Sequence, residues 1–149
     1  MNLKERINED LKAAMKSGDK LRLETIRSVR ALILEFEKSG TGKELTQEEE
    51  IKMLSTAVKK RKDSIEQYSA AKRNDLADKE EAEMNILLEY LPKQLTEDEI
   101  LQRVKELAKE VGATSKSDFA KLMPVAMKDL KGKADGKVVK SIVEKVLEG

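Results

Sequence analysis

The 149-residue chain contains no cysteine and no histidine. The first absence removes disulfides, thiolate nucleophiles and thiolate metal sites. The second removes the commonest general base near neutral pH and the commonest metal ligand. Aromatic residues make up only 3%, so the core must be aliphatic, and few rings are available to stack the bases of a single strand. Two prolines and seven glycines leave long stretches with nothing to interrupt a helix. No apolar run approaches membrane-spanning length, so no membrane partner is expected. Met1-Asn2-Leu3-Lys4-Glu5-Arg6 runs straight into an amphipathic pattern and lacks the apolar segment of a signal peptide. A cytoplasmic protein is expected. No cofactor or metal is expected either: Gly40 and Gly42 lack the spacing and the Lys-Ser/Thr pair of a phosphate-cradling loop.

What is present is charge and helical period. Charged residues are 40% of the chain, yet the net charge is only +1. Lys, Glu, Leu and Ala recur at three- and four-residue spacing, and no segment alternates apolar and polar residues, so the fold class is all-α. Leu3, Ile7, Leu11, Ala14 and Met15 mark a first buried stripe, with Gly18 suited to close that helix and Asp19 to cap the next. Leu23, Ile26, Val29, Ile33 and Phe36 form a second stripe, with Thr25, Arg27 and Arg30 off it. Residues 39–43 read as a loop. Thr46 and Glu49 read as a capping box that opens the longest helix. Asn74 or Asp75 is suited to cap a fourth helix, striped by Leu76, Met84, Leu87, Leu88 and Leu91 and ended by Pro92. Residues 90–95 form the boundary. A helical N-terminal domain of about four helices, residues 1–92, precedes a small three-helix domain, residues 93–149.

The second domain opens with another capping box, Thr96 to Glu99, and the stripe Ile100, Val104, Leu107, Ala108 and Val111, ended at Gly112. Ser115 or Ser117 is suited to cap a helix with Pro124 inside it and a stripe of Phe119, Met123, Met127 and Leu130. Val138, Val139, Ile142, Val143, Val146 and Leu147 stripe the last helix.

One position on the longest helix is discordant. Its apolar series runs Ile51, Leu54, Val58, Ile65 and Tyr68, and the missing member is position 61, occupied by Arg61. The plainer account is that Arg61 packs its stem and pairs with an acid of a neighbouring helix. The sharper one is that Lys59, Lys60, Arg61 and Lys62 meet an anion. The plainer account is preferred, because structural ion pairs are commoner than sites. Four consecutive bases nevertheless point about 100° apart and cannot all be structural. The carboxylates of Glu48, Glu49 and Glu50, and of Glu80, Glu81 and Glu83, fall near helix starts, where the dipole explains them. Ser64 and Ser141 have no histidine to activate them. No catalytic residue is assigned.

The last two helices meet at Lys131-Gly132-Lys133-Ala134-Asp135-Gly136-Lys137. From Phe119 onward seven lysines face four acids. Gly132 suits a left-handed helix end, and Asp135 suits the cap of the last helix. Gly132 and Gly136 would let the backbone approach a partner closely. This basic turn, followed by an apolar C-terminal helix, resembles the GatB/YqeY domain. The likeness continues in order through Ala14-Met15-Lys16, Leu23-Glu24-Thr25-Ile26-Arg27, Lys60-Arg61-Lys62-Asp63-Ser64-Ile65, Arg73-Asn74-Asp75-Leu76 and Tyr90-Leu91-Pro92-Lys93-Gln94-Leu95, which look like stretches of the YqeY-like family. The resemblance implies a helical domain followed by a three-helix domain. It also implies kinship to the tail of the B subunit of the tRNA-dependent amidotransferase, where such a domain helps hold tRNA. That subunit's catalytic domain has no counterpart here.

The expected function is therefore a non-catalytic accessory module that contacts tRNA or another structured RNA. Lys128, Lys131, Lys133, Lys137 and Lys140 are the expected RNA-binding residues, and Arg61, Lys62 and Arg73 a second basic set. With so few aromatics, shape and phosphate recognition fits better than base stacking. The alternative is a component or partner of a glutamine-dependent amidotransferase, a carbon–nitrogen ligase with glutamine as amido donor, or a protein-interaction module of the translation machinery. The latter would dock through exposed apolar surface, to which Met15, Met53, Met84, Met123 and Met127 are candidates, although methionines at helical spacing are more often core.

Overall fold

A computed structural model describes residues 1–40, 42 and 44–148; Thr41 and Lys43 of the 39–43 loop, and Gly149, lie outside the described residues. Seven α-helices and one 3₁₀ turn, with no strand, account for the regular structure among those residues, in keeping with the all-α expectation. The chain divides into two compact units, Met1–Leu91 and Pro92–Gly149.

In the first unit, α1 (Leu3–Ser17) and α2 (Lys20–Lys38) pack as one pair, α3 (Gln47–Ala70) and α4 (Asn74–Leu88) as another, and α2 joins the pairs through α4. Short polar side chains start the first three helices. Asn2 Oδ1 accepts the Glu5 amide at 2.9 Å, Asp19 Oδ1 the Arg22 amide at 3.1 Å, and Thr46 Oγ1 the Glu49 amide at 3.2 Å. Gly18 closes α1 with φ 74°, a value at which most side chains are strained. The core gathers Leu3, Ile7, Ile26, Val29, Ile33, Leu54, Val58, Ile86 and Leu87.

Several sequence expectations need correction here. Thr25, expected off the stripe, is buried; its hydroxyl donates to the Leu21 carbonyl at 2.8 Å within its own helix, which removes the desolvation penalty. Met15, expected on the stripe, is 59% exposed. Neither Asn74 nor Asp75 caps α4. Arg73 holds the N-cap position without a side-chain bond to the free amides of the helix, and Lys72 turns the chain with φ 59°, so Asn74 and Asp75 already belong to the first helical turn. Nor does Pro92 end α4. The helix stops at Leu88, and the amides of Glu89, Tyr90 and Leu91 tighten onto the carbonyls of Ile86, Leu87 and Leu88.

That tightened end is tied to the first two helices. The buried Tyr90 donates to Asp10 Oδ2 at 2.5 Å, and Arg6 lies 4.5 Å above its ring. Arg6 also donates to the Glu89 carbonyl, and Arg22 pairs with the Glu89 carboxylate, each at 2.9 Å. Burial first, and then the bond to Asp10, push the Tyr90 phenol up from its ordinary value. By contrast, residues 59–76, which form the far half of the α3–α4 pair, include no buried residue.

The second unit comprises α5 (Glu97–Val111), a 3₁₀ turn (Lys116–Asp118), α6 (Phe119–Asp129) and α7 (Gly136–Glu148), with each helix packed on the other two. Thr96 and Glu99 form the full reciprocal capping box. Ile100, Val104, Leu107, Leu122, Ala126, Leu130, Val139, Val143 and Leu147 fill the core. Neither Ser115 nor Ser117 caps α6 directly. The 3₁₀ turn intervenes, and the Asp118 carboxylate accepts the Thr114 and Ser115 amides at 2.8 and 3.2 Å.

Of the expected α6 stripe, Leu130 is buried and Phe119 and Met123 pack against the core beside the buried Leu122 and Ala126, whereas Met127 is 41% exposed. Pro124 lies on the exposed side of the helix. It lacks an N–H for the Ala120 carbonyl, and both residues are exposed, so water can reach the orphaned acceptor. Met127 lies one turn along on that same outer face. A bidentate pair ties α5 to α6, with Arg103 Nε and Nη2 each 2.8 Å from the Asp129 carboxylate. These bonds hold the Asp129 carboxyl below its ordinary range.

Two outcomes follow for urea unfolding. Leu122→Ala should destabilise the second unit by about 2–5 kcal/mol, whereas Met127→Ala should change it by less than about 1 kcal/mol; equal effects would contradict the observed face. Asp129 has a lower pKa folded than unfolded, so its contribution is fully present above the unfolded value and fades as pH falls through the folded one. The stability gap between wild type and Asp129→Asn should thus be full above about pH 5 and close in more acid solution. A gap independent of pH would mean that Arg103 does not hold this carboxylate in its charged form.

Candidate nucleic-acid interface

The basic turn is built from backbone hydrogen bonds. The Leu130 carbonyl accepts the Lys133 and Ala134 amides at 2.9 and 3.2 Å, which closes α6. Gly132 then takes φ 79° and redirects the chain. Asp135 starts α7 as expected: its Oδ1 accepts the Lys137 amide at 2.9 Å and its carbonyl the Val139 amide at 3.0 Å. Lys128, Lys131, Lys133, Lys137 and Lys140 are all exposed.

The neighbouring acids have other work. Among the causes that lower the Asp129 carboxyl, the hydrogen bonds of Arg103 come first and the field of Lys133 last. Asp135 is occupied by its cap. Asp129 and Asp135, the acids at the edge of the turn and within it, thus bond to Arg103 and to the Lys137 amide.

The segment from Pro92 to Leu95 supports the turn from the other side. Gln94 Nε2 donates to the Gly132 carbonyl at 2.6 Å and to the Pro92 carbonyl at 2.9 Å, and the Leu95 amide donates to the Lys133 carbonyl at 2.9 Å. This corrects the reading of both glycines as points of approach for a partner. Gly132 is buried with its carbonyl turned to Gln94. A Cβ on Gly136 would stand 3.1 Å from Met127 Cε, so this glycine makes room for a side chain of its own domain. Sequence reasoning missed Gln94. Its partner lies 38 positions along the chain, and no periodicity connects the two.

The second basic set is dispersed. Arg61 is half-buried, its Nε 3.1 Å from Glu83 Oε2 and 3.7 Å from Glu80 Oε2, both on α4. The contact is an ion pair without an aligned hydrogen bond at Arg61 Nε or Glu80 Oε2. Lys62 is half-buried, and Arg73 pairs with Asp75 at 3.3 Å across the start of α4. Arg61 and the end of α3 are nine residues apart, about 13 Å at the helical rise, so Arg61 and Arg73 do not converge. Among the described residues, no group of three or more acids is arranged to hold a metal ion, and no helix is long and apolar enough to cross a membrane. The geometry predicts that Arg61→Met destabilises the first unit by about 1 kcal/mol in urea unfolding, between an exposed and a buried pair; an unchanged midpoint would show that the pair contributes nothing.

The chain as a whole is similar in sequence to known proteins. The chain matches the family described as Yqey-like protein over residues 4–147. It is 34% identical over 146 residues to "Altered inheritance of mitochondria protein 41, mitochondrial" of Pyrenophora tritici-repentis, covering 95% of this chain and 79% of that protein. The protein of the same name from Lachancea thermotolerans is 33% identical over 137 residues, or 91% of this chain and 70% of the relative. The Saccharomyces cerevisiae protein is 37% identical over 100 residues, 66% of this chain and 54% of its own length. These names overturn the expectation of a cytoplasmic protein, since they point to mitochondria. That expectation rested on the absence of an apolar leader, which does not distinguish the two compartments. With the match running through both helical units, the chain belongs to the Yqey-like protein family.

Proposed function

We propose that this protein is a non-catalytic accessory module that contacts tRNA or another structured RNA through the turn between α6 and α7. One observation carries the reading: five exposed lysines, Lys128, Lys131, Lys133, Lys137 and Lys140, cluster at one turn. Lysine side chains favour phosphate. Phosphate contact needs no aromatic platform, which suits a chain with 3% aromatic residues. On this reading residues 1–92 form a YqeY-like N-terminal domain and residues 93–149 a GatB/YqeY-type RNA-contacting domain. Arg61 and Arg73, each held by acids, contribute less than the turn. The names of the relatives make mitochondrial tRNA a fitting ligand to test beside total tRNA.

The test is a titration of the purified protein with tRNA across a salt series. Log affinity should fall with log salt by roughly 0.7–0.9 for each phosphate neutralised. Replacing Lys131, Lys133 and Lys137 together by alanine should reduce that slope by about 2–3 and leave the helical circular dichroism unchanged. An unaltered slope would remove the turn from the interface. No binding even at low salt would end the RNA reading and favour a protein partner such as a glutamine-dependent amidotransferase.

A further inference from the structure

We infer that Gln94 is a positioning residue for the basic turn: its carboxamide fixes the main chain at Gly132 and so the direction in which Lys131 and Lys133 leave it. The fixing of the turn stands on geometry; its consequence for binding rests on the RNA reading above.

A carboxamide nitrogen has two hydrogens to donate, and both are used here. One goes to the Pro92 carbonyl at 2.9 Å, two residues back, and orients the side chain locally. The other goes to the Gly132 carbonyl at 2.6 Å, across 38 positions of sequence. The next residue repeats the contact through its backbone, Leu95 N–H to Lys133 C=O at 2.9 Å. Two successive carbonyls of the turn are thus held from one side. The peptide around Gly132 is buried while Lys131 and Lys133 on either side are exposed. Holding the carbonyls inward keeps the flanking side chains outward, and the φ of 79° at Gly132 makes that reversal possible.

The chemistry is particular to glutamine. Glutamate would set an ionised carboxylate against two carbonyl oxygens, with no hydrogen to donate. Asparagine is one methylene shorter, by roughly 1.5 Å. Methionine keeps the length and has no N–H.

The experiment uses the full chain, with Gln94→Met and Gln94→Glu, and reads amide hydrogen exchange and binding of total tRNA. In both variants the amides of Leu95, Lys133 and Ala134 should exchange faster, while those of Val104, Leu122 and Val143 keep their protection. The affinity for tRNA should fall about threefold to tenfold, as expected for one lost hydrogen bond. The loss caused by Lys131→Ala with Lys133→Ala should be smaller in the Gln94→Met background than in wild type, because lysines on a released turn are no longer aimed. Equal losses in the two backgrounds would reduce Gln94 to a stability contact, and unchanged exchange at the turn would overturn the inference outright. If wild type binds no tRNA, the RNA reading fails separately and the exchange data alone decide the role of Gln94. A reading that needs no variant comes from wild type. Its Gln94 carboxamide protons should exchange more slowly than those of the exposed Gln67 and Gln102, and equal rates would count against the clamp.

Discussion

Aliphatic burial in two separate small cores is the constraint on which this molecule depends. With no cysteine to cross-link the chain and 3% aromatic residues to fill space, each unit must close around Ile, Leu, Val and Ala. A unit the size of Pro92–Gly149 is close to the lower limit at which burial alone outweighs chain entropy. Terminal and inter-helix polar bonds therefore matter more than in a large domain. The Thr96–Glu99 capping box, the Arg103–Asp129 fork and the Gln94 clamp each fix a helix end or a crossing that the apolar faces alone leave adjustable.

The first unit answers the same constraint at the end of α4. Tyr90, one of the few aromatics, is anchored by Asp10 below its hydroxyl and by Arg6 over its ring, while Glu89 receives Arg22 and the second contact of Arg6. Four polar contacts thus converge where the chain leaves the first core. A few residues later, Gln94 and Leu95 bind it to the turn of the second unit. The stretch that joins the units is fastened at both ends to the unit on that side.

The helices and most of their faces were legible because a 3.6-residue period and short polar caps are local signals. Gly18, Asp19, Thr96, Gly112 and Asp135 took the roles their chemistry suggested. The misreadings arose where a local rule met a stronger neighbour. Met127 shares the exposed side of α6 with Pro124, while Leu122 and Ala126 are buried. Thr25 was buried at no loss because its hydroxyl found a carbonyl in its own helix. Lys72 accepted a left-handed φ, so the expected caps of α4 became part of its first turn. In the candidate interface the lysines and their exposure were readable from charge alone. The support beneath them was not, since Gln94 and Gly132 are joined only through the fold.

The far half of the α3–α4 pair carries a consequence of its own. Between residues 59 and 76 no side chain is buried, and Arg61 with its two acids lies near the base of that stretch. Helix held there chiefly by its own backbone bonds and one neighbour occupies the low end of the molecule's local stability. With so little apolar surface to expose, opening of this stretch would cost few contacts of Leu54 or Val58. Backbone hydrogen bonds and the Arg61 ion pairs, rather than buried apolar surface, therefore set how firmly this arm stays closed.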